Sequence, residues 1–526
     1  QPRVNDEVCE GLATSHLDGL HEYIHMVMLN AARDLFCPGL EYVGRRLCSP
    51  YEQMHKSATL PSRQNKIAVE ESDVYMVRFD FKFNGKPIEP QYLMLPFTDR
   101  GGVLTIRGSD YVISPAIVDN VFSIEESNIF IPFTRSRDNF RGVIGRFYAN
   151  GTLNETKCVW SQLYRDQDKS KLNKSWLPTL ANYLFAYRGV TETFKRYCNT
   201  KVHFGTTEIT SEKYPDKDWV IFESAGNRVE NRSKLSRIFK TPARLAIRKS
   251  EIDKNRGVLP MVAGLFYTLD YASEFAFSHQ IEQLDNPQFW KRILIRFIHK
   301  DVTHERKYMD MIDTHLESLN CYVDAIMKNK LAAQGILLED TVDLFAYLNE
   351  NYTILTSTCD PADTIGKVLE IRRFVSHSII SKIFKMGYDL KRLTENRLSE
   401  ANIVKIMRMH LKPDTILGIT SNHGIVSSVE SATDCMLMKV TLPVVSQTRA
   451  TGGQAQMKKE TEMTQSGFQL HPSIMHAHSF LAIKKSAPSG RGLLNPFINI
   501  DRNYTVRPLE GLEEETKNLE FLLRKN

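Results

Sequence analysis

From Val77 to Phe83 apolar and polar residues alternate: Val77, Phe79, Phe81 and Phe83 are separated by Arg78, Asp80 and Lys82. A period of two predicts a half-buried strand. Asn84-Gly85 follows, the dipeptide best suited to two positive φ angles in a tight hairpin. Further strands are predicted over 92–95, 103–106 and 111–114, divided by Arg100-Gly101-Gly102 and a turn at Gly108, and together they predict one compact sheet. Ahead of them Leu17, Leu20, Ile24, Val27 and Ala31 recur at helical spacing, so His16 to about Leu47 reads as helix. The stretch 119–199 is mixed and turn-rich, and helices dominate from about 272 to 410. There Trp290, Ile293, Leu294, Phe297 and Ile298 form one apolar stripe among Lys291, Arg292, Arg296 and Lys300, the pattern of a core-facing helix. Helices are also predicted over 365–390 and 399–411, the second capped by Ser399. From Asp414 onward strands and loops return, without repeats or low-complexity segments. The pattern is that of an α+β, multi-domain protein.

At 526 residues the chain has room for three or four compact units. Apolar residues at 42% and charged residues at 25% are ordinary for a globular protein and exclude a disordered or fibrous class. The net charge of +6 (68 basic, 62 acidic) is a mild pull toward polyanions. It is concentrated between Arg232 and Arg256, where nine basic residues meet two acidic ones, either a solvated face or a phosphate-facing surface. No apolar run approaches the roughly 18 residues that span a bilayer, and the longest, Leu259 to Leu269, is too short, so no membrane partner is expected. The first residues are acidic (Asp6, Glu7, Glu10), unlike a secretion signal, and the start at Gln1 suggests a missing or processed end. Eight cysteines form no CxxC pair, which argues against a zinc ribbon or a redox motif. Six Asn-x-Ser/Thr sequons (Asn150, Asn154, Asn173, Asn231, Asn351, Asn503) and the even cysteine count leave open a secreted, disulfide-linked glycoprotein. A reducing, intracellular compartment is the favoured expectation.

Most catalytic signatures are missing: no phosphate-binding P-loop, no GxGxxG, no GxSxG and no acidic cluster for two magnesium ions. His21-Glu22-Tyr23-Ile24-His25 does fit HExxH on a predicted helix, where two histidines one turn apart bind zinc and the glutamate acts as base. The third ligand such a site needs is not evident in the sequence. His471, His476 and His478 offer a second metal pattern, the last two on one face of a strand, without an accompanying carboxylate or cysteine cluster.

Two regions carry more. The segment Tyr92 to Pro115 resembles a stretch of bacterial RNA polymerase β subunits in which a strand and a polar turn lead into "F-I-I-N-G-x-E-R-V-I-V-S-Q". Gly108, Val112 and Ser114 match that pattern, Ile106 and Ile113 are apolar equivalents, and Arg107 and Pro115 depart from it. Further on, Gly467 to Pro472 is similar to a shortened "G-F-E-V-R-D-V-H-P", and Ser486 to Asn495 to a shortened "E-T-P-E-G-x-N-x-G-L-I-N". Ser446 to Gly453 falls where the family's fork loop would be.

What the resemblance implies is the N-terminal part of a split β-like subunit, as in the multisubunit polymerases of phiKZ-type giant phages, with the non-virion enzyme preferred over the virion one. A β subunit that stops soon after Gly492-Leu493-Leu494-Asn495 fits such a split. The implied domains are a protrusion-like part over 1–118, a lobe-like domain over 119–345, a second, helical protrusion-like part over 346–430, and a fork-like region with the start of the hybrid-binding wall over 431–526. The chain itself would hold no cofactor and no catalytic residue, with Mg²⁺ bound by a β′-like partner. Implied nucleic-acid contacts are Arg449, Lys458, Lys459, Lys484, Lys485 and Arg491, with Gly452, Gly453 and Gly490 letting backbone come close. Implied partners are a C-terminal β-like subunit, β′-like subunits, a phage-specific extra subunit, template DNA and the RNA transcript. The expected location is the infected bacterial cell, including a phage nucleus-like compartment. The fork-like stretch does not reproduce the rifamycin-binding pattern, so rifampicin resistance is expected. The alternative is a stand-alone nucleic-acid-binding or virion structural protein.

Overall fold

A computed structural model describes residues 17, 19–59, 71–98, 102–113, 115–125, 127–134, 137–164, 177–205, 208–224, 243–272, 284–299, 305–320, 322–358, 363–370, 375–393, 395–421, 426–428, 443–446, 471–478, 491–495, 497–501, 503–509 and 511. The fold is α+β in two units: a discontinuous one formed by 1–120 with 361–526, and one formed by 121–360.

In the discontinuous unit the helix Leu20–Leu35 buries Leu20, Ile24, Val27, Met28, Ala31 and Leu35, the predicted stripe. It does not continue to Leu47. Phe36 is already extended (φ −81, ψ 151), Pro38 follows, and Gly39 takes φ +78. Pro38 disfavours helix at Cys37, the residue before it, and Gly39 accepts the left-handed turn, so the helix does not resume and Leu40–Leu47 becomes a strand. That strand pairs antiparallel with Val74–Phe83, whose Phe79 and Phe81 are buried. Asn84 and Gly85 both have positive φ (48 and 78), the hairpin geometry their sequence predicts. On the other side of Val74–Phe83 lies Gln91–Pro96.

The hairpin Val103–Ile106/Ser109–Ile113 turns at Arg107 (φ 55) and Gly108 (φ 75). It belongs to a different sheet, because Ser109–Ile113 takes Val426–Ser428 as its other neighbour. The single compact sheet expected from local spacing is therefore two sheets. The helix expected over 365–390 is also corrected. Gly366 takes φ +81, Val368–Glu370 is a strand against Ala116–Val118, and helix begins at Ser376 and continues as Ser381–Lys391. This last helix lies so close to Leu20–Leu35 that a Cβ on Gly387 would stand 2.8 Å from the Leu35 Cβ. Ser399 caps Glu400–His410 as predicted, its side chain accepting from Asn402 N.

The 121–360 unit is built on a seven-stranded antiparallel sheet in the order His203–Gly205, Arg244–Arg248, Trp219–Ser224, Arg137–Ala149, Asn128–Pro132, Ser123–Glu125, with Thr152–Ser161 along the other edge of Arg137–Ala149. The long hairpin Arg137–Ser161 turns at Asn150 (φ 45) and Gly151 (φ 83). Asn150 also receives Ile221 N at 2.7 Å and donates to Trp219 O at 3.2 Å, extending the sheet through a side chain. Over this sheet pack Leu180–Arg188, Val258–Ala272 and Thr341–Thr358, and Pro287–Ile298 packs on Leu180–Arg188. The apolar run 259–269 is thus a core helix, with Val262 and Ala263 fully buried. Trp290, Ile293, Leu294, Phe297 and Ile298 are buried as their spacing predicts. The expected domain edge at 345/346 falls inside the helix Thr341–Thr358, whose Phe345 and Tyr352 both belong to this unit's core.

Candidate nucleic-acid interface

A four-stranded sheet in the discontinuous unit brings together segments far apart in sequence. Ala116–Val118, which directly follows the Tyr92–Pro115 landmark, lies antiparallel to Val368–Glu370 and parallel to Pro443–Ser446. Pro443–Ser446 is antiparallel to Arg491–Leu493, so the backbone of Arg491 faces Val445 and Gly492 faces Val444. Ser446, first residue of the fork-like stretch, is in register with Ile117. Lys367, only 7% exposed, pairs with Asp119 at 3.4 Å beside these strands. A buried ion pair of this kind is costly to break from one side and fixes the two chain passes in register.

Of the predicted contacts, the strand fixes the backbone of Arg491. Arg449, Lys458, Lys459, Lys484 and Lys485, with Gly452, Gly453 and Gly490, lie outside the described residues.

Two histidines of the 471–478 segment, His471 and His476, accept backbone N–H groups. The segment is a short 3-10 helix, Pro472–His476, instead of the expected strand, because Pro472 occupies a first-turn position and His471 caps it by accepting from Ser473 N. Ser473 Oγ receives Thr364 N at 2.7 Å, and His476 Nδ1 receives Leu509 N at 3.0 Å. Asn495, last residue of the Gly-Leu-Leu-Asn motif, donates to Met475 O at 3.3 Å and accepts from Phe497 N at 3.0 Å. These bonds tie the 363–370, 471–478 and 491–509 stretches into one body.

The HExxH residues do sit on the helix Leu20–Leu35. His25 Nδ1 lies 2.8 Å from Tyr42 Oη, and Glu22 is ion-paired to Arg45. Burial, and then the charge of Arg45, draws His21 below the usual histidine range. Among the described residues no group of three or more His, Cys, Asp or Glu could hold a metal ion.

One cationic cluster escaped the sequence reading. Lys385, on the same helix Ser381–Lys391, and Lys412 both act electrostatically on Lys382, whose Nζ stands 3.3 Å from Thr415 Oγ1. Burial and the like charge of Lys412 hold the Lys382 ammonium below the usual lysine range; Lys385 adds to this and Asp414 opposes it. The cluster adjoins the first landmark, since Met94 N donates to Pro413 O at 2.9 Å. No charge run announces it, because its members come from two separate stretches, 382–385 and 412.

No curated protein matches the sequence. A family model described as "Non-virion RNA polymerase subunit" matches residues 1–507, nearly the whole chain. On this match the chain belongs to the family of bacteriophage non-virion RNA polymerase subunits.

Proposed function

We propose that the chain is the N-terminal β-like part of a split large subunit in a phiKZ-type multisubunit RNA polymerase, where it lines the DNA cleft and supports an active site contributed by another polypeptide. The observation that carries this is the four-stranded sheet. Ala116–Val118, which directly follows the first β-like region, and Arg491–Leu493, a strand of the second, flank Pro443–Ser446 in one sheet, although 121–360 is inserted in the chain between them. A chance pair of short likenesses, far apart in sequence, has no reason to lead into one sheet.

In this reading the 121–360 unit is the lobe-like insertion, and the residues after Ser446 and around Arg491 approach the RNA–DNA hybrid. Lys382, Lys385 and Lys412, with Arg449, Lys458, Lys459, Lys484, Lys485 and Arg491, neutralise phosphates without reading sequence. Mg²⁺ and its carboxylates reside on a β′-like partner, and a C-terminal β-like chain completes the wall. The complex works in the infected cell, in or beside a phage nucleus-like compartment.

The test is photo-cross-linking from 4-thiouridine at the 3′ end of a nascent transcript in the assembled enzyme. Adducts within 446–495 of this chain are expected. Adducts confined to the other subunits, with transcription intact, would overturn the assignment.

A further inference from the structure

The sheet of the 121–360 unit is two-sided at one end. Leu245 and Ile247 face the main core, while Ala246 and Ile221 join a second, small cluster with Ile209 and Tyr214, against which Trp219 packs. Register puts the contributors to this second face side by side: His203 opposite Ala246, and Trp219 opposite Arg248. Because Ala246 is small, rings can gather above it. Tyr214 and Trp219 meet edge to face at 4.9 Å, and His203 lies 5.6 Å from Tyr214 and 5.5 Å from Trp219.

Cations ring these aromatics. The Arg248 guanidinium sits 5.3 Å from the centre of the Trp219 ring and Lys213 Nζ 5.8 Å from that of Tyr214. Burial, and then the charges of Lys201, Lys213 and Arg248, draws His203 below the usual histidine range, with Glu251 the opposing anion. Lys201, Lys213 and Arg248 are exposed, and among the described residues no carboxylate is ion-paired to any of them. A cation stacked on an aromatic ring loses little further freedom when it binds, and its N–H donors still point to solvent. Glu251 accepts from Lys201 N at 3.2 Å, and Glu212, Asp216 and Asp218 lie in the same stretch as Lys213. Yet none of them takes up a cation of the site, and braced, unpaired cations are what a polyphosphate needs.

We propose that Lys213 and Arg248, braced on Tyr214 and Trp219, together with Lys201 just ahead of the adjoining His203 strand, form a docking site for the phosphate backbone of DNA. The site deepens the polymerase reading and rests on it, giving the 121–360 unit its own sequence-independent grip on the template.

The test uses the assembled polymerase, with the triple variant K201Q/K213Q/R248Q and the single variant Trp219→Leu. DNA affinity is measured across a salt series. Each neutralised phosphate contributes a slope of about 0.9 on duplex and about 0.7 on single strand, so the triple variant is expected to lower the slope by roughly 2 to 3. Trp219→Leu keeps the charges and removes a brace, and is expected to weaken binding about two- to fivefold with little change of slope. A wild-type enzyme with normal salt-dependent binding and a triple variant of unchanged slope overturns this inference alone. So does a triple variant that fails to join the complex although soluble and folded, since the face would then be a subunit contact. A wild-type chain that never joins a polymerase overturns the underlying reading instead.

Discussion

Replacing Gly145 by alanine should loosen the 121–360 unit selectively. Gly145 is buried within the strand Arg137–Ala149, directly under the helix Val258–Ala272. A Cβ there would stand 2.6 Å from the carbonyl oxygen of Ala263 and 2.8 Å from its Cβ. Carbon atoms settle at about 3.5 Å or more, so helix and strand must part by about 0.7 Å. Neither opposing atom can rotate away, because both are fixed to the helix backbone. The helix cannot slide freely either, since a Cβ on Gly264 would meet Ala181 Cβ at 2.5 Å. Overpacking of this kind costs about 1–3 kcal/mol, and removing a flexible glycine from a strand returns about 0.5–1 kcal/mol. With rigid opposing atoms the net should be about 2 kcal/mol. For a unit of this size that is a melting point lower by about 4–8 °C. The assay is hydrogen exchange on peptides from 140–149 and 258–272, where 2 kcal/mol corresponds to roughly thirtyfold faster exchange through unfolding. Gly418→Ala is the comparator, because a Cβ there meets nothing within 4 Å; it should change stability by less than about 0.5 kcal/mol. Equal exchange in Gly145→Ala and wild type would refute the packing argument.

Three further outcomes are expected. Tyr352→Phe removes the hydroxyl that receives Gly142 N at 2.7 Å and donates to Ser127 O, and should cost about 1–3 kcal/mol by urea unfolding; a cost under about 0.5 kcal/mol would mean water replaces both bonds. Burial pushes the Cys158 and Cys198 thiols from 9.0 up to about 12, so the native state holds protons that the unfolded chain releases. Their contribution is complete below pH 9 and is lost as pH rises toward 12; unfolding free energy that stays level from pH 8 to 11 would contradict this. The assembled enzyme should transcribe at rifampicin concentrations that stop a sensitive bacterial polymerase, and strong inhibition would count against reading Ser446 to Gly453 as a divergent fork.

Local chemistry was legible wherever one short stretch decides the outcome. Asn84-Gly85, the Ser399 cap, and the stripes of Leu20–Leu35 and Pro287–Ile298 form as their residues dictate. Asn150-Gly151 carries the same hairpin signal and turns the longest hairpin among the described residues, Arg137–Ser161. Non-local pairing was not legible. Nothing in Ser109–Ile113 points to Val426–Ser428, and nothing in Val368–Glu370 says that pairing with Ala116–Val118 will override a helical pattern. Side-chain groupings follow the same rule: Arg491 was named from motif likeness alone, whereas Lys385 and Lys412 come to act on Lys382 only once two stretches fold together.

The central claim is that this chain builds one side of a transcribing machine and leaves the chemistry to its companions. Reconstitution with the remaining polymerase subunits, with this chain present or omitted, tests it most directly through RNA synthesis on phage DNA. The account predicts no RNA from the chain alone, none from the others without it, and templated, Mg²⁺-dependent synthesis when all are combined. Full transcription by the other subunits in its absence would contradict it.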